Sequence, residues 1–180
     1  MVEAKKVDVR AQRNLLREHY KEVPEDAWIT DRAKTTGGVA TDPFHGSVVP
    51  GSEEYGIVWP FSIHHALGGS HDGPNPGDLL CAALAACLDA TIRIIANLLG
   101  IILTSLEVDV TADVDVRGTL TIDRTVPVGF QTMRCHVIIQ AAEGTDPKLM
   151  EKLLAASEYS CVILQTLRSG VSVETRFHSS

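Results

Sequence analysis

The apolar stretch NPGDLLCAALAACLDATIRIIANLLG, from Asn75 to Gly100, constrains the fold of this chain more than any other feature. Asn75 is a favourable helix N-cap, the proline after it suits the first helical position, and Gly100 favours a helix end. The stretch is long enough to raise the question of a membrane span, but three polar residues interrupt it: Asp89, Arg93 and Asn97. Each would be costly at the centre of a bilayer, so we predict a buried core helix and no membrane partner.

A second helix and several strands are predicted in the rest of the chain. The segment TDPKLMEKLLAASEYSCVILQTLRSG is typical of one helix with an apolar face, capped by Asp146 and ended by Gly170. LEVDVTADVDVRG alternates apolar and polar residues, which favours a half-buried antiparallel strand. Further strands are predicted in AWITDRAKTTGG, YGIVWPFSIHH, QTMRCHVIIQAA and VSVETRF, and Pro60 favours an edge position. This order of elements predicts an α+β fold, with a mainly antiparallel sheet against two apolar helices.

Charge and local composition limit the partners and the domain organisation. The 180 residues carry a formal net charge of −7 and no run of lysine and arginine, which argues against nucleic acid or an anionic membrane surface as a partner. Residues 5–21 are densely charged and indicate a polar helix. We therefore predict an N-terminal helical arm at residues 1–26 and one domain at residues 27–180. The first residues lack the apolar core of a signal peptide, so a cytoplasmic location is expected.

The cysteines are the candidate reactive groups. The chain has four, and no two are spaced as C-x-x-C, so neither a disulfide framework nor a zinc ribbon is predicted. On a helical wheel Cys87 lies on the side opposite Asp89, and Cys161 follows the apolar face of the second helix, so these two thiols are expected to meet. A buried cysteine is often a small apolar packing residue, and that alternative stays open for this pair. Cys81 and Cys135 are predicted to be packing residues of this kind.

Two segments resemble the OsmC/Ohr family of hydroperoxide reductases. NPGDLLCAALAACLDATIR resembles the family's first motif, an Asn-Pro-led helix that carries a cysteine after a run of small residues. EYSCVILQTLRSGVSV resembles the second motif, a cysteine on the second central helix followed by a Thr-Leu-like pair, a glycine turn and a strand. The resemblance runs from about residue 27 to the end. It implies an OsmC-like fold, an intertwined homodimer whose strands wrap around two buried central helices.

The resemblance also implies a two-cysteine reaction without a cofactor. Cys87 matches the family's peroxidatic thiol, which attacks a hydroperoxide and becomes a sulfenic acid. Cys161 matches the resolving thiol, which forms a disulfide that an external dithiol reduces. We expect apolar organic hydroperoxides as substrates, because leucine, isoleucine and alanine dominate the helix, and a role in oxidative-stress defence. The alternative is a non-catalytic dimer that binds a small apolar ligand, with both thiols buried and structural.

The sequence departs from the family at three motif positions. The hydroperoxide reductases carry a glutamate after Asn-Pro, where this chain has Gly77. Their arginine follows an N-terminal Gly-Gly turn in one branch, where Val39 stands here, and precedes the first helix in another, where this chain reads Ile-His-His. The residue after the second cysteine is often proline in the family and is Val162 here. Because a thiolate in an apolar site needs a cation nearby, other residues would have to supply it.

Four residues are candidates for supporting the thiolate: His65, His64, Arg32 and Asp78. Either histidine could replace the arginine, with Asp78 orienting it, although helix capping also explains this aspartate. Adjacent histidines on a strand point to opposite faces, so His64 and His65 are not expected to share a pocket. A metal site that also uses His71 and His45 is conceivable, but the spacing resembles no standard ligand set. We therefore predict no metal.

Overall fold

The computed structural model describes residues 8–178, which form two compact units. Of these residues, the first unit contains those up to Cys81 together with Thr111–Arg134, and the second contains Ala82–Val110 and those from Cys135 to residue 178. The helices are α1 Val9–Glu22, α2 Pro76–Leu99, α3 Val116–Thr119, α4 Pro147–Ser160 and α5 Val162–Ser169. The strands are β1 Ala33–Thr35, β2 His45–Pro50, β3 Trp59–Ser62, β4 Leu103–Asp113 and β5 Thr132–Ala141. The predicted α+β class is confirmed.

The predicted polar helix near the N-terminus is α1. Asp8 caps it, accepting a hydrogen bond from the Ala11 amide at 2.9 Å, and no residue of α1 is buried. Residues 5–7 of the predicted helix lie outside the described residues. The boundary between an arm at residues 1–26 and a domain at residues 27–180 stays a prediction.

The first unit contains a three-stranded antiparallel sheet in the order β1-β2-β3. In its register Ala33 pairs with Pro50, and Val48 pairs with Trp59. Pro60, which has no amide hydrogen to donate, lies on β3 at the edge of this sheet, as predicted.

The strands β4 and β5 pair into a second sheet. The Gln131 amide donates to the Asp113 carbonyl and the Ala142 amide donates to the Ile102 carbonyl, both at 2.9 Å, which makes the pair antiparallel. From Leu106 onward, half-buried and exposed residues alternate along β4, as its sequence predicts.

Two helical faces supply most of the buried residues of the second unit. On α2 the side chains of Leu84, Leu88, Ile92 and Ala96 are buried at intervals of four residues, one stripe of the helix. Leu153, Ser157 and Cys161 are buried with the same spacing around α4. Length and composition alone would let α2 cross a membrane, a test that the core helix of a globular protein also passes.

The structure corrects the expectation of one long second helix. The helix breaks at Cys161, whose φ of −76° and ψ of 107° are extended, so α4 ends there and α5 begins there. Its amide donates to the Ser157 carbonyl and its carbonyl accepts from the Gln165 amide, so the backbone stays hydrogen-bonded through the break. The sequence carries neither proline nor glycine at this point, the residues that commonly mark a helix end.

The predicted final strand VSVETRF is also wrong for this chain. Within the described residues, 171–178 form no strand, and the side chains of Val171, Val173 and Phe177 are exposed. A β-strand is stabilised by hydrogen bonds to a neighbouring strand, so an alternating pattern alone does not produce one.

Candidate active site

The two motif cysteines meet in the second unit. The Sγ atoms of Cys87 and Cys161 lie 3.3 Å apart, and the Cys161 thiol donates a hydrogen bond to the Cys87 sulfur. Cys161 is fully buried and Cys87 is half-buried, and neither forms a disulfide. The predicted meeting of the two thiols is therefore present in the structure.

The break between α4 and α5 places the Cys161 sulfur at the first turn of α5. The backbone amides of Leu164 and Ile163 donate to this sulfur, which lowers its pKa, but burial and the hydrogen bond to Cys87 raise it. Burial is the largest of these effects, and the net direction is upward from the ordinary thiol value. Cys161 is therefore a protonated thiol at neutral pH and a hydrogen-bond donor to Cys87.

Cys87 lies in the middle of α2. The hydroxyl of Thr91, one turn further along, donates to the Cys87 carbonyl at 2.7 Å.

Two cysteines were predicted to be packing residues. Cys81, on the same helix as Cys87, is half-buried. Cys135 is exposed on β5, so the prediction for it is wrong in this chain.

Asp78 forms the helix cap that the sequence analysis gave as its alternative role. Its carboxylate accepts from the Asn75 amide at 2.8 Å, and the Asn75 side-chain oxygen accepts from the amides of Gly77 and Asp78 at 2.8 and 3.2 Å. This reciprocal arrangement satisfies amides at the start of α2 that have no partner within the helix.

Position 77, where this chain has glycine in place of the glutamate that the family resemblance implies, is closely packed in the first unit. A Cβ atom at this position would lie 2.9 Å from the ring of Phe130 and 2.9 Å from the Asn75 side-chain oxygen. Such contacts are too short for a real side chain, so a glutamate here would have to displace the aromatic ring. The sequence does not predict this contact, because nothing in the local pattern of Phe130 ties it to the start of α2.

Arg32 lies just before β1, also in the first unit. Its carbonyl accepts from the Gly51 amide at 2.8 Å. Arg32, Lys34 and Glu53 line a shallow groove, and Lys34 and Glu53 form an ion pair with each other.

The two adjacent histidines do share one site, contrary to the expectation that they point to opposite faces. The strand β3 ends at Ser62, and His64 caps a 3-10 helix at His65–Leu67, so strand alternation no longer applies. The rings of His64 and His65 are stacked with centroids 4.2 Å apart, and the ring of His71 lies 4.1 Å from that of His64. Burial, and then the charges of His71 and His65, lower the pKa of His64.

Ser157 is a second feature that sequence reasoning did not single out. Its hydroxyl is buried one helical turn before Cys161 and has no hydrogen-bond partner among the residues that the structure describes. A polar group in this state costs stability unless something else binds it.

Comparison with known proteins places this arrangement in a family. The sequence profile of the OsmC-like proteins matches residues 69–176, more than half of the chain, and includes both motif cysteines. No significant match was found among curated proteins.

Three solved structures show the same fold. An organic hydroperoxide resistance protein OsmC from Legionella pneumophila is 24% identical with a TM-score of 0.57, over 81% of this chain and 94% of that chain. An OsmC-like protein from Mycoplasma pneumoniae is 16% identical with a TM-score of 0.60, over 79% and 89%. An organic hydroperoxide resistance protein from Elizabethkingia anophelis is 20% identical with a TM-score of 0.58, over 79% and 91%. By its sequence match and by its fold, the chain belongs to the OsmC-like protein family.

Proposed function

We propose that this protein reduces organic hydroperoxides through Cys87 and Cys161 in oxidative-stress defence. Membership of the OsmC-like family, and the hydroperoxide resistance proteins among the similar structures, support a general role in peroxide defence. The observation that carries the two-cysteine mechanism is the distance of 3.3 Å between the two sulfurs. A disulfide bond needs about 2.05 Å, so a side-chain movement of little more than 1 Å would close the gap.

The proposed reaction has three steps. The Cys87 thiolate attacks the outer oxygen of the hydroperoxide, the O–O bond breaks, and the leaving alkoxide takes a proton to become an alcohol. The resulting sulfenic acid reacts with the Cys161 thiol, which loses its proton as hydroxide leaves, and a disulfide and water form. An external dithiol then reduces the disulfide and is itself oxidised.

The hydrogen bond between the sulfurs supports this division of roles. Cys161 is the donor and its pKa is raised by burial, so it is the sulfur that remains a thiol while Cys87 accepts. Cys87 is also the less buried of the two, as the sulfur that meets a substrate should be.

The buried residues of the unit that contains both thiols support an apolar substrate. The buried residues of the second unit are almost all aliphatic, which suits an alkyl or aryl hydroperoxide better than a charged one. Large apolar side chains such as Ile102, Val173 and Phe177 are exposed in the single chain, which supports the intertwined homodimer as the working form. We place the reaction in the cytoplasm, where dithiol reductants are available.

A cation that supports the Cys87 thiolate is part of this proposal. Arg32, His64 and His65 remain the candidates, although the lowered pKa of His64 makes it the least cationic of the three. The carboxylate of Asp78 is engaged in the cap of α2. Replacing each candidate in turn and measuring the rate of Cys87 sulfenylation at fixed pH would identify it. The support residue is the one whose loss slows this first step without changing the unfolding midpoint.

The alternative function, a dimer that binds a small apolar ligand, is favoured by one observation. The ring of Phe130 occupies the space that a glutamate at position 77 would need, so this chain has neither the glutamate that the family resemblance implies nor room for it. In that case both thiols would remain reduced in the presence of peroxide.

One experiment separates the two functions. The reduced protein receives one equivalent of cumene hydroperoxide, and free thiols are counted over minutes. The enzyme is supported if the parent protein loses two thiols per chain, if Cys87→Ser loses none of this pair, and if the Cys135→Ser control loses two as the parent does. Unchanged thiols in the parent protein would overturn it in favour of the binding module.

A further inference from the structure

Three imidazole rings converge in the first unit, on the segment that follows β3. Each of His64, His65 and His71 offers one ring nitrogen, and these nitrogens all lie within 4.8 Å of one another. The Nδ1 atoms of His65 and His71 are 3.3 Å apart. Two nitrogens bound to one tetrahedral Zn²⁺ at about 2.0–2.1 Å would be separated by about 3.3–3.4 Å.

A tight turn after β3 brings these side chains together. Gly68 has a φ of 87°, which glycine adopts without a steric penalty. Gly69 then packs so closely on Ile63 that a Cβ atom would lie 2.1 Å from the Ile63 carbonyl oxygen. The chain returns with the His71 amide donating to that same carbonyl at 3.0 Å. The loop is therefore shaped to return His71 to the two histidines that begin it.

The loop is also held from outside. The Nε2 atom of His45 lies 3.0 Å from the Ser70 hydroxyl and 3.2 Å from the Asp72 carboxylate, the two residues on either side of His71. His71 itself has a φ of 51°, a left-handed conformation that few residues other than glycine adopt. Strain of this kind persists where surrounding contacts impose it, often at ligand sites.

We propose that His64, His65 and His71 form a binding site for a divalent first-row transition metal, with Zn²⁺ as the probe. Neutral imidazoles suit Zn²⁺, Cu²⁺ and Ni²⁺, whereas Mg²⁺ and Ca²⁺ require oxygen ligands. The rings of His65 and His71 are exposed, so they can rotate to close the remaining distance, and the metal keeps a coordination position open to solvent. The sequence spacing predicts no such site, because the turn rather than a regular helix or strand brings the ligands together.

Metal binding at this site should break one hydrogen bond of a backbone amide, an effect that a reaction at the cysteines would not produce. In the structure the Ala66 amide donates to the Nδ1 atom of His64 at 3.0 Å. A metal on Nδ1 takes the lone pair that accepts this hydrogen bond, and a metal on Nε2 leaves the proton on Nδ1. In either case the bond ends, so the amide signal of Ala66 must shift when the site fills.

The test uses the full chain without an affinity tag, in a Cys87→Ser/Cys161→Ser background that removes the paired thiols as zinc ligands. Zn²⁺ is titrated against a chromophoric chelator. We expect one Zn²⁺ per chain, and His71→Asn should weaken binding at least tenfold, because asparagine tolerates the left-handed backbone but is a poor zinc ligand. His136→Asn, which changes an exposed histidine on β5, is the matched control and should bind as tightly as its parent.

Equal zinc affinity in His71→Asn and its parent would overturn the proposal, and so would the absence of binding in the folded double-serine background. If that background does not fold, the Ala66 amide is followed by NMR in the unmodified chain during the titration. An Ala66 signal that stays in place at saturating Zn²⁺ would refute the site, and a shift that His71→Asn abolishes would establish it.

Discussion

The Sγ atoms of Cys87 and Cys161 lie 3.3 Å apart although 74 residues separate them in the chain. The two sulfurs reach this position differently. Cys87 is placed by a regular helix, whereas Cys161 is placed by a break between two helices.

The roles of the two thiols can be separated by replacing the buried one. In Cys161→Ser we expect Cys87 to react with one equivalent of cumene hydroperoxide as in the parent, since its own sulfur is unchanged. No disulfide can follow, so the sulfenic acid should accumulate and be trapped by dimedone, and turnover with a dithiol should fall at least about tenfold. Mass spectrometry of the adduct is the measurement. A first step as slow as that of Cys87→Ser would contradict the assigned roles.

The helix break should accept the proline that this chain lacks. Val162 is the exposed first residue of α5, and the backbone of Cys161 is already in the extended region that a residue before proline prefers. Val162→Pro should therefore raise the free energy of unfolding by about 0.4–1 kcal/mol, through a less flexible unfolded chain. Urea unfolding measures the change, with Val162→Ala as the control for loss of the side chain. A destabilised proline variant would show that the break is not as the structure describes it.

The unpartnered hydroxyl near the thiols should reduce stability. Ser157 is 2% exposed, and its oxygen has no partner within residues 8–178. Ser157→Ala should therefore raise the free energy of unfolding by about 1 kcal/mol, because it removes a buried polar group that forms no hydrogen bond. Thermal or urea unfolding of the reduced protein is the measurement. A loss of stability would instead mean that the hydroxyl is bound by something outside the single chain.

The turn that carries the histidines should tolerate no side chain at Gly69. Its Cβ would lie 2.1 Å from a carbonyl oxygen, whereas a Cβ at Gly129 would have no neighbour within 4 Å. Gly69→Ala should lower the free energy of unfolding by about 1–3 kcal/mol. Gly129→Ala, the matched control, should change it by less than about 0.5 kcal/mol. Equal effects of the two substitutions would argue against the close approach of the loop to β3.

The contribution of His45 to stability should depend on pH. Hydrogen bonds to Asp42 and then Asp72 raise the pKa of His45 above its ordinary value of 6.5. A group whose pKa is raised by folding stabilises the protein fully below its unfolded pKa, and this contribution is lost as the pH rises through the folded pKa. Removing it by His45→Gln should therefore destabilise the protein more at pH 5.5 than at pH 8.5. Urea unfolding at both values measures the difference, and a larger loss at the higher pH would contradict the prediction.

The sequence by itself determined the elements whose signals are local. The cap of α2 depends on Asn75 and Asp78, only three residues apart, and the alternation along β4 is a property of consecutive residues. The family motifs are local in the same sense, so the α+β fold and the pairing of Cys87 with Cys161 could be predicted without coordinates.

Only the tertiary structure decided the rest, because those features depend on contacts between distant segments. No proline or glycine in the sequence marks the helix break at Cys161. The segment VSVETRF alternates as a strand does but pairs with no strand among the described residues. The sequence spacing of His64, His65 and His71 resembles no ligand set. The three side chains come together only because the turn at Gly69 returns the chain to the end of β3. Periodicity reports which face of a regular element is apolar; it carries no information about where a turn places side chains that follow no period.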